Sequence, residues 1–418
     1  MSKIKSIHAR QLIDCKTRGI VECVVTTEGG AVGMAASPTG TSVGSAEAAV
    51  LRDGPQGGLC GTSVHKAVEI VNSVIAPALN GIEVTNQDRI DQIMLQLDAT
   101  ARKEKLGGNS IFSVSAACLS AASGECGLEV HDYLSKGKIS SLPLPIVNMF
   151  NGGRYPDADM KIQEFGVIPC GAANMEEAVD MLISIFHKTG ELIGKKGKPA
   201  QIANYFGWRP LSDDPEEHFE LIAEAAESLG YSGKYAFYTD CAASEFYDDK
   251  TDTYDFMGQQ LSAFEFMQYI SGMTEKYPFW GVEDVLNEKD MGGFRLASEL
   301  MNDLVIVGDD NICTNISYAR EAASIGAVEG MVFKPNQVGT ITEAMAAYRF
   351  AEEQGWYVIP SVRAGGMVED IVKELAVGLQ APLVKCGAPR SGERISFLNT
   401  LLRAADEYPE AGFRNIGR

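Results

Sequence analysis

The stretch FWGVEDVLNEKDMGGFRLASELMNDLVIVGDD (residues 279–310) reads as strand, helix, strand. Two short apolar runs, each ending in acidic residues, flank a segment with helical spacing. The same alternation extends in both directions. Further strand candidates are KIQEFGVIPC (161–170), KYAFYTDCA (234–242), EGMVFKPN (329–336), WYVIPSV (356–362) and LVKCGA (383–388), with helical patterns between most of them. Such alternation over the C-terminal two thirds of the chain predicts a parallel sheet, most economically a closed (β/α) barrel. No Gly-rich dinucleotide fingerprint follows the first strand, which favours the barrel over an open sheet.

Upstream the pattern differs. Residues 3–10 and 19–37 alternate with period two around a Glu-Gly-Gly turn and predict a β-meander. SPTGTSVGS (37–45) is small, polar and Gly-rich, a loop able to move. Residues 64–134 carry helical spacing. SKGKISSLPLPIVNMFNGG (135–153), rich in Ser, Gly and Pro, is taken as the boundary between an N-terminal α+β domain (1–135) and the barrel (143–418). The overall class is α/β.

The chain has 418 residues with a net charge of −20. That balance argues against a nucleic-acid surface, which needs a basic patch. No apolar run reaches the length of a membrane span. The N-terminus lacks a signal-peptide core, and nine cysteines without a CxxC pair fit a reducing, cytoplasmic setting. The five histidines show no ligand spacing and read as structural. Cys241 and Cys386 have no His nearby in sequence to activate them and read as inert.

The chemistry sits at the strand ends. Asp240, Glu283, Asp309, Lys334, Arg363 and Lys385 each close a strand candidate. Side chains at the C-terminal ends of barrel strands converge on one mouth. Three carboxylates there form an oxygen cage suited to Mg²⁺, and three cations follow, as an anionic substrate would require. A lone strand-end Asp is more often a cap, and Asp284 and Asp310 fit that role. Six charged strand ends together favour a shared site.

At this point the sequence resembles the enolase family over nearly its whole length. The segments that carry the likeness include SPTGTSVGSAEAAVLRDG, KLGGNSIFSVSAA, LPLPIVNMFNGG, DCAASEFYD, EKYPFWGVED, VGDDNICTN, FKPNQVGTITEA and APRSGERISFLNTLLRAADE. The resemblance implies an N-terminal α+β domain, an enolase-type (β/α)₈ barrel with one early antiparallel strand, and a Mg²⁺ enzyme that removes a proton next to a carboxylate. Enolase-superfamily sites are themselves a standard example of that chemistry. By resemblance, Asp240, Glu283 and Asp309 are metal ligands, and Ser42 closes over a second Mg²⁺. Lys334 falls on the general base and Glu164 on an acidic residue near the substrate. Arg363 matches a phosphate-binding arginine and Lys385 a lysine that neutralises substrate charge. A base must be neutral to accept a proton, so Lys334 is expected to be depressed by the cations around it. A homodimer is implied by the family alone. The expected partner is a small phosphorylated or phosphonylated carboxylate, with no nucleic acid or membrane.

Four departures cluster. ANYFGWRP puts Tyr205 where enolases carry a catalytic glutamate. GGRYP puts Tyr155 at a histidine. SVRAG puts Val362 at a histidine and Ala364 at a phosphate-contacting serine. DCKTRGIVE replaces DSRGNPTVE. The enolate-forming half is thus kept and the leaving-group half rebuilt. Three functions remain open. One is an enolate-forming enzyme with altered β-chemistry, for which carboxyphosphonoenolpyruvate synthase, an enolase-like enzyme of phosphonate biosynthesis, is a known branch to compare. Another is ordinary phosphopyruvate hydratase with Tyr205, Glu164 or water as substitute acid. The third is a non-catalytic protein on this scaffold. Tyr205, Phe206 and Trp208 line an enlarged pocket or pack under a loop. Arg154 and Arg209 face the mouth or lie in solvent.

Overall fold

A computed structural model describes residues 2–41, 43–153 and 160–417. Ser42, Arg154 and Tyr155 lie outside the described residues.

The meander forms as expected. Strands β1 (Ile4–Ile13), β2 (Gly19–Thr27) and β3 (Val32–Ala36) pair antiparallel in that order. One face packs on helix α2 (Gly108–Glu125), which follows α1 (Gln87–Asp98). The small residues of α2 allow a very close approach. A Cβ built on Gly33 would stand 2.1 Å from the Ala121 nitrogen and 2.4 Å from the Ala117 carbonyl oxygen.

Eight strands make the barrel: β4 (Leu144–Asn151), β5 (Glu164–Ile168), β6 (Ala236–Asp240), β7 (Phe279–Glu283), β8 (Val305–Gly308), β9 (Gly330–Phe333), β10 (Tyr357–Pro360) and β11 (Leu383–Gly387). The sheet runs β10-β9-β8-β7-β6-β5-β4-β11. It closes through a parallel bridge between Ser361 and Lys385, where the Val362 amide donates to the Lys385 carbonyl over 3.1 Å. Seven strands match sequence candidates. The eighth, β4, lies inside the segment taken as linker. All eight of its residues are buried, so it shows no alternation, and Pro145, with Pro143 just before the strand, mimics a loop signal.

Only β5 is antiparallel to its neighbours. Its first residue, Glu164, therefore pairs in register with the last residue of β6, Asp240. A side chain from the start of a strand is thereby delivered to the mouth where the other strands end. The barrel interior is filled by Ile146, Ile168, Tyr238, Trp280, Val307, Val332, Ile359 and Leu383. The Trp280 indole donates to the Ile416 carbonyl over 2.9 Å, which ties the chain's last residues to the barrel. No helix of the described residues is long and apolar enough to cross a membrane.

Helix α3 (Met175–Lys195) and its neighbour α4 (Pro215–Ser228) cover the first strands. Outside the later strands lie α5 (Ala263–Thr274), α6 (Met291–Leu300), α7 (Ile316–Ile325), α8 (Ile341–Glu353), α9 (Val372–Gly378) and α10 (Gly392–Glu407). Before α9, the buried Asp370 accepts the Val372 amide over 3.0 Å. Burial pushes its carboxyl up to about 6, against the pull of that hydrogen bond.

Two outcomes test this packing. Gly33→Ala forces a methyl into helix backbone and should cost about 3 kcal/mol in urea unfolding, in the upper range for overpacking. A raised carboxyl pKa destabilises the fold once the group ionises. The penalty is absent below the unfolded pKa of about 4, grows as pH rises to about 6, and is constant above. Asp370→Asn should therefore gain up to about 3 kcal/mol at pH 7.5 and nothing at pH 4.

Candidate active site

The six charged strand ends named from sequence do meet at one mouth. A cavity there is lined by Glu164, Asp240, Lys334, Arg363 and Lys385, together with Tyr205, Val362, Ala364 and Arg394. Gly40 and Thr41 of the early loop complete the wall.

Lys385 organises the acids. Its ammonium stands 2.5 Å from Glu283 Oε2, 2.8 Å from Glu164 Oε2 and 3.6 Å from Asp240 Oδ2. Lys334 forms an ion pair with Asp309 Oδ2. All of these groups except Glu164 and Lys334 are more than nine-tenths buried. Burial works against each charge, and pairing decides the result. Glu164 is held low because Lys385 overcomes its desolvation, and Asp309 because Lys334 does the same. Asp240, for which desolvation dominates, is pushed up to about 6, and Glu283 is pushed well above the usual carboxylate range by burial and the neighbouring Asp240. Lys385 is raised despite burial by Glu164 and Glu283.

Lys334 departs from the expectation. Burial would lower it, but the Asp309 carboxylate outweighs both burial and the repulsion of Arg363 and Lys385, so its pKa is raised, not depressed. The sequence placed positive neighbours beside it correctly but could not place the carboxylate in contact.

Several residues that orient the acids carried no strong sequence signal of their own. Gln163 donates to Asp240 Oδ2 over 2.8 Å, and Gln337 to Asp309 Oδ1 over 3.1 Å. The Tyr238 hydroxyl donates to Glu283 Oε2 over 2.5 Å. Asp284 accepts the Asp309 and Asp310 amides over 2.9 and 3.1 Å and so ties two strand ends together; it does not take the helix-capping role expected of it, which Asp290 fills for the next helix. Arg363 is gripped by Glu47 through contacts of 3.0–3.1 Å and by Asn336 Oδ1 at 3.1 Å. Glu47 lies just after the early loop, so the N-terminal part of the chain supplies the counter-charge of a barrel arginine.

The donor set fits a hard divalent cation. Glu164, Asp240, Glu283 and Asp309 present four carboxylates to two ammoniums, leaving an excess of negative charge. Glu283 Oε1 is buried and has no hydrogen-bond partner among the described residues. Two groups of carboxylates meet ligand spacing, Glu164 with Asp240 and Glu283, and Asp284 with Asp309 and Asp310. An orphaned carboxylate oxygen in an all-oxygen cage is what Mg²⁺ takes.

Three of the four departures from the enolase pattern are in contact. Cys15 donates its thiol to the Ala364 carbonyl over 3.4 Å. Lys16 bonds the Asn204 carbonyl and lies over the Tyr205 and Phe206 rings at 4.9 and 5.1 Å. Tyr205 bonds Thr41 and faces the cavity, and burial raises its phenol. Trp208 does not reach the mouth. It stacks on Phe186 at 4.9 Å and donates to the Phe186 carbonyl over 2.9 Å, so the aromatic cluster divides between pocket and core. Arg209 lies exposed beside Gln201, away from the lining. The cation that does line the cavity here is Arg394, which the sequence reading missed. It is 3% exposed, with Nε and Nη2 lacking hydrogen-bond partners among the described residues and its guanidinium 5.4 Å from the Phe206 ring. Cys241 and Cys386 are buried, and burial pushes both thiols up. His218 is structural: its Nε2 accepts the Leu211 amide over 2.7 Å, and burial lowers it to about 4.

Two family models match the chain. The model described as "Enolase, N-terminal domain" matches residues 4–134, and that described as "Enolase, C-terminal TIM barrel domain" matches residues 139–415.

Magnesium should raise the melting temperature in proportion to the logarithm of its concentration. At a hundredfold excess over its dissociation constant the gain is about 2.7 kcal/mol. In Glu283→Gln, scanning fluorimetry should show most of that gain lost.

Proposed function

Because the chain belongs to the enolase family, we propose that it is a Mg²⁺-dependent, lyase-type enzyme of the enolase superfamily with altered leaving-group chemistry. Its substrate is a small phosphorylated or phosphonylated carboxylate, from which it removes the α-proton. One observation carries this reading. Tyr205, Val362 and Ala364, which replace an acid, a histidine and a hydroxyl of the family pattern, line the same cavity as Lys334, Lys385 and Glu164.

Removing the α-proton of a carboxylate creates a dianionic enolate, and nearby positive charge must hold it. Mg²⁺ held by Asp240, Glu283 and Asp309 would supply Lewis-acid stabilisation of the substrate carboxylate. Lys385 adds a fixed ammonium against the same charge. Lys334 is the base. Its partner Asp309 belongs to the cation cage, so a ligand-filled cage and a freed Lys334 go together. Arg363 offers a guanidinium fork suited to a phosphate or phosphonate.

The substituted residues of the cavity cannot assist departure of hydroxide in the family's manner. Val362 has no proton to give, and a buried phenol whose pKa is raised is a poor acid near neutrality. Arg394 instead lines the cavity with Nε and Nη2 making no hydrogen bond among the described residues, Nε standing 3.7 Å from Glu393 Oε1, which favours a second anionic group on the substrate. A reaction of the carboxyphosphonoenolpyruvate synthase type has that charge pattern.

With 2-phosphoglycerate and Mg²⁺, formation of phosphoenolpyruvate should lie about 10²–10⁴-fold below ordinary enolase rates, the usual worth of a general acid. Ordinary rates would establish the chain as a phosphopyruvate hydratase. In D₂O, NMR should show exchange of the α-proton in at least one 2-phospho- or phosphonocarboxylate, abolished in Lys334→Ala. Exchange surviving that substitution would move the base elsewhere. Ligand binding without exchange in any substrate would favour a non-catalytic role.

A further inference from the structure

A second cluster of ligating groups lies apart from the mouth, and none of its residues lines the mouth cavity. It is built where the short helix Val130–Ser135 meets α9 and the end of α10. Gly378 permits the approach. A Cβ there would stand 2.8 Å from the His131 Cα. One turn earlier on α9, Glu374 Oε2 lies 2.7 Å from His131 Nδ1. A carboxylate accepts and cannot donate at neutral pH, so Nδ1 carries a proton toward Glu374; Glu374, Asp132 and Glu407 favour the charged ring, and a metal at Nε2 would bind in place of the second proton. His131 is 7% exposed, and Nε2 has no hydrogen-bond partner among the described residues. It is aimed at two carboxylates, Glu407 Oε2 at 3.6 Å and Asp132 Oδ2 at 3.9 Å. The other Asp132 oxygen accepts the Tyr408 hydroxyl, which leaves Oδ2 turned toward the imidazole.

We propose that His131 Nε2, Asp132 Oδ2 and Glu407 Oε2 form a site for a divalent transition metal, zinc by preference. The three ligand atoms lie within 4.8 Å of one another. Ligands about 2 Å from a tetrahedral zinc stand roughly 3.3 Å apart, so closing the site needs the ligand atoms to draw in by about 0.3 to 1.5 Å. Glu407 is half exposed, so its side chain can move toward the ring once it gives up its contact with Tyr408. An imidazole among carboxylates selects zinc and its first-row neighbours over Mg²⁺, which prefers oxygen alone. Glu374 supplies the carboxylate–histidine arrangement that fixes the tautomer and ring of a metal-bound histidine. Water completes the fourth position. The metal would clamp the helix that ends the N-terminal part of the chain to the last barrel helix.

The test is a zinc titration of the full chain in saturating Mg²⁺, followed by calorimetry and by melting temperature. The wild type should bind one zinc ion lost in His131→Gln, and the melting temperature should rise with it. Glu374→Gln should weaken binding about 10–100-fold. Glu283→Gln, which alters only the mouth, should keep the zinc isotherm. Should His131→Gln fail to fold, Glu407→Gln decides, since that side chain is half exposed and should lose zinc at least tenfold while its metal-free melting temperature is unchanged. Cobalt substituted for zinc should give the intense visible bands of a four-coordinate site. An isotherm identical in wild type and Glu407→Gln, or no zinc uptake under Mg²⁺, overturns the proposal and leaves His131 as a buried ion-pair partner.

Discussion

Four carboxylates crowd the mouth of this barrel, and the fold must neutralise them. Lys385 does most of it, standing within 3.6 Å of Glu164, Asp240 and Glu283. Buried like charges at this spacing repel strongly unless cations are interposed. The closure of the barrel depends on the same residue, because the Lys385 backbone bridges Ser361 and accepts the Val362 amide. One residue thus seals the sheet and balances its charge. What the lysines leave uncompensated, above all Glu283 Oε1, is the part of the site reserved for a cation.

The altered segments acquire meaning only in space. DCKTRG, ANYFG and SVRAG each lie more than 150 residues apart, yet Cys15 touches Ala364 and Lys16 touches Tyr205 and Phe206. A substitution at one position of a packed wall alters what its neighbours can be. The lost histidine and glutamate are therefore not isolated gaps. They belong to one rebuilt part of the cavity, lined also by Arg394, that shares its space with a base and counter-charge following the family pattern.

The opposed demands on Lys334 have the same origin. Its raised pKa reflects a carboxylate that is also a candidate metal ligand. Charge in this mouth is shared among more groups than it has partners. A change at Asp309 would therefore reach both the cation cage and the base.

The order of elements was largely legible in the sequence, because a period of two against one of 3.6 is a local property of the chain. So was the identity of the mouth residues, since strand ends in a parallel barrel must converge. β4 was not, because a wholly buried strand shows no alternation and Pro145, with Pro143 just before the strand, suggests a loop. Glu164 reached the site through strand direction, which the residues of 164–168 do not encode by themselves. Arg394 was invisible because it lies in a helix beyond the last strand, and His131 because its partners Glu374 and Glu407 are hundreds of residues distant. Periodicity pointed to a parallel sheet and the strand-end charges to a cation and an anionic ligand, while the enolase likeness implied the kind of barrel and its chemistry. Which charges touch, and so which lysine is raised and which oxygen is left free, was decided by tertiary packing, since electrostatic energy depends on distances of a few ångströms that no local pattern carries.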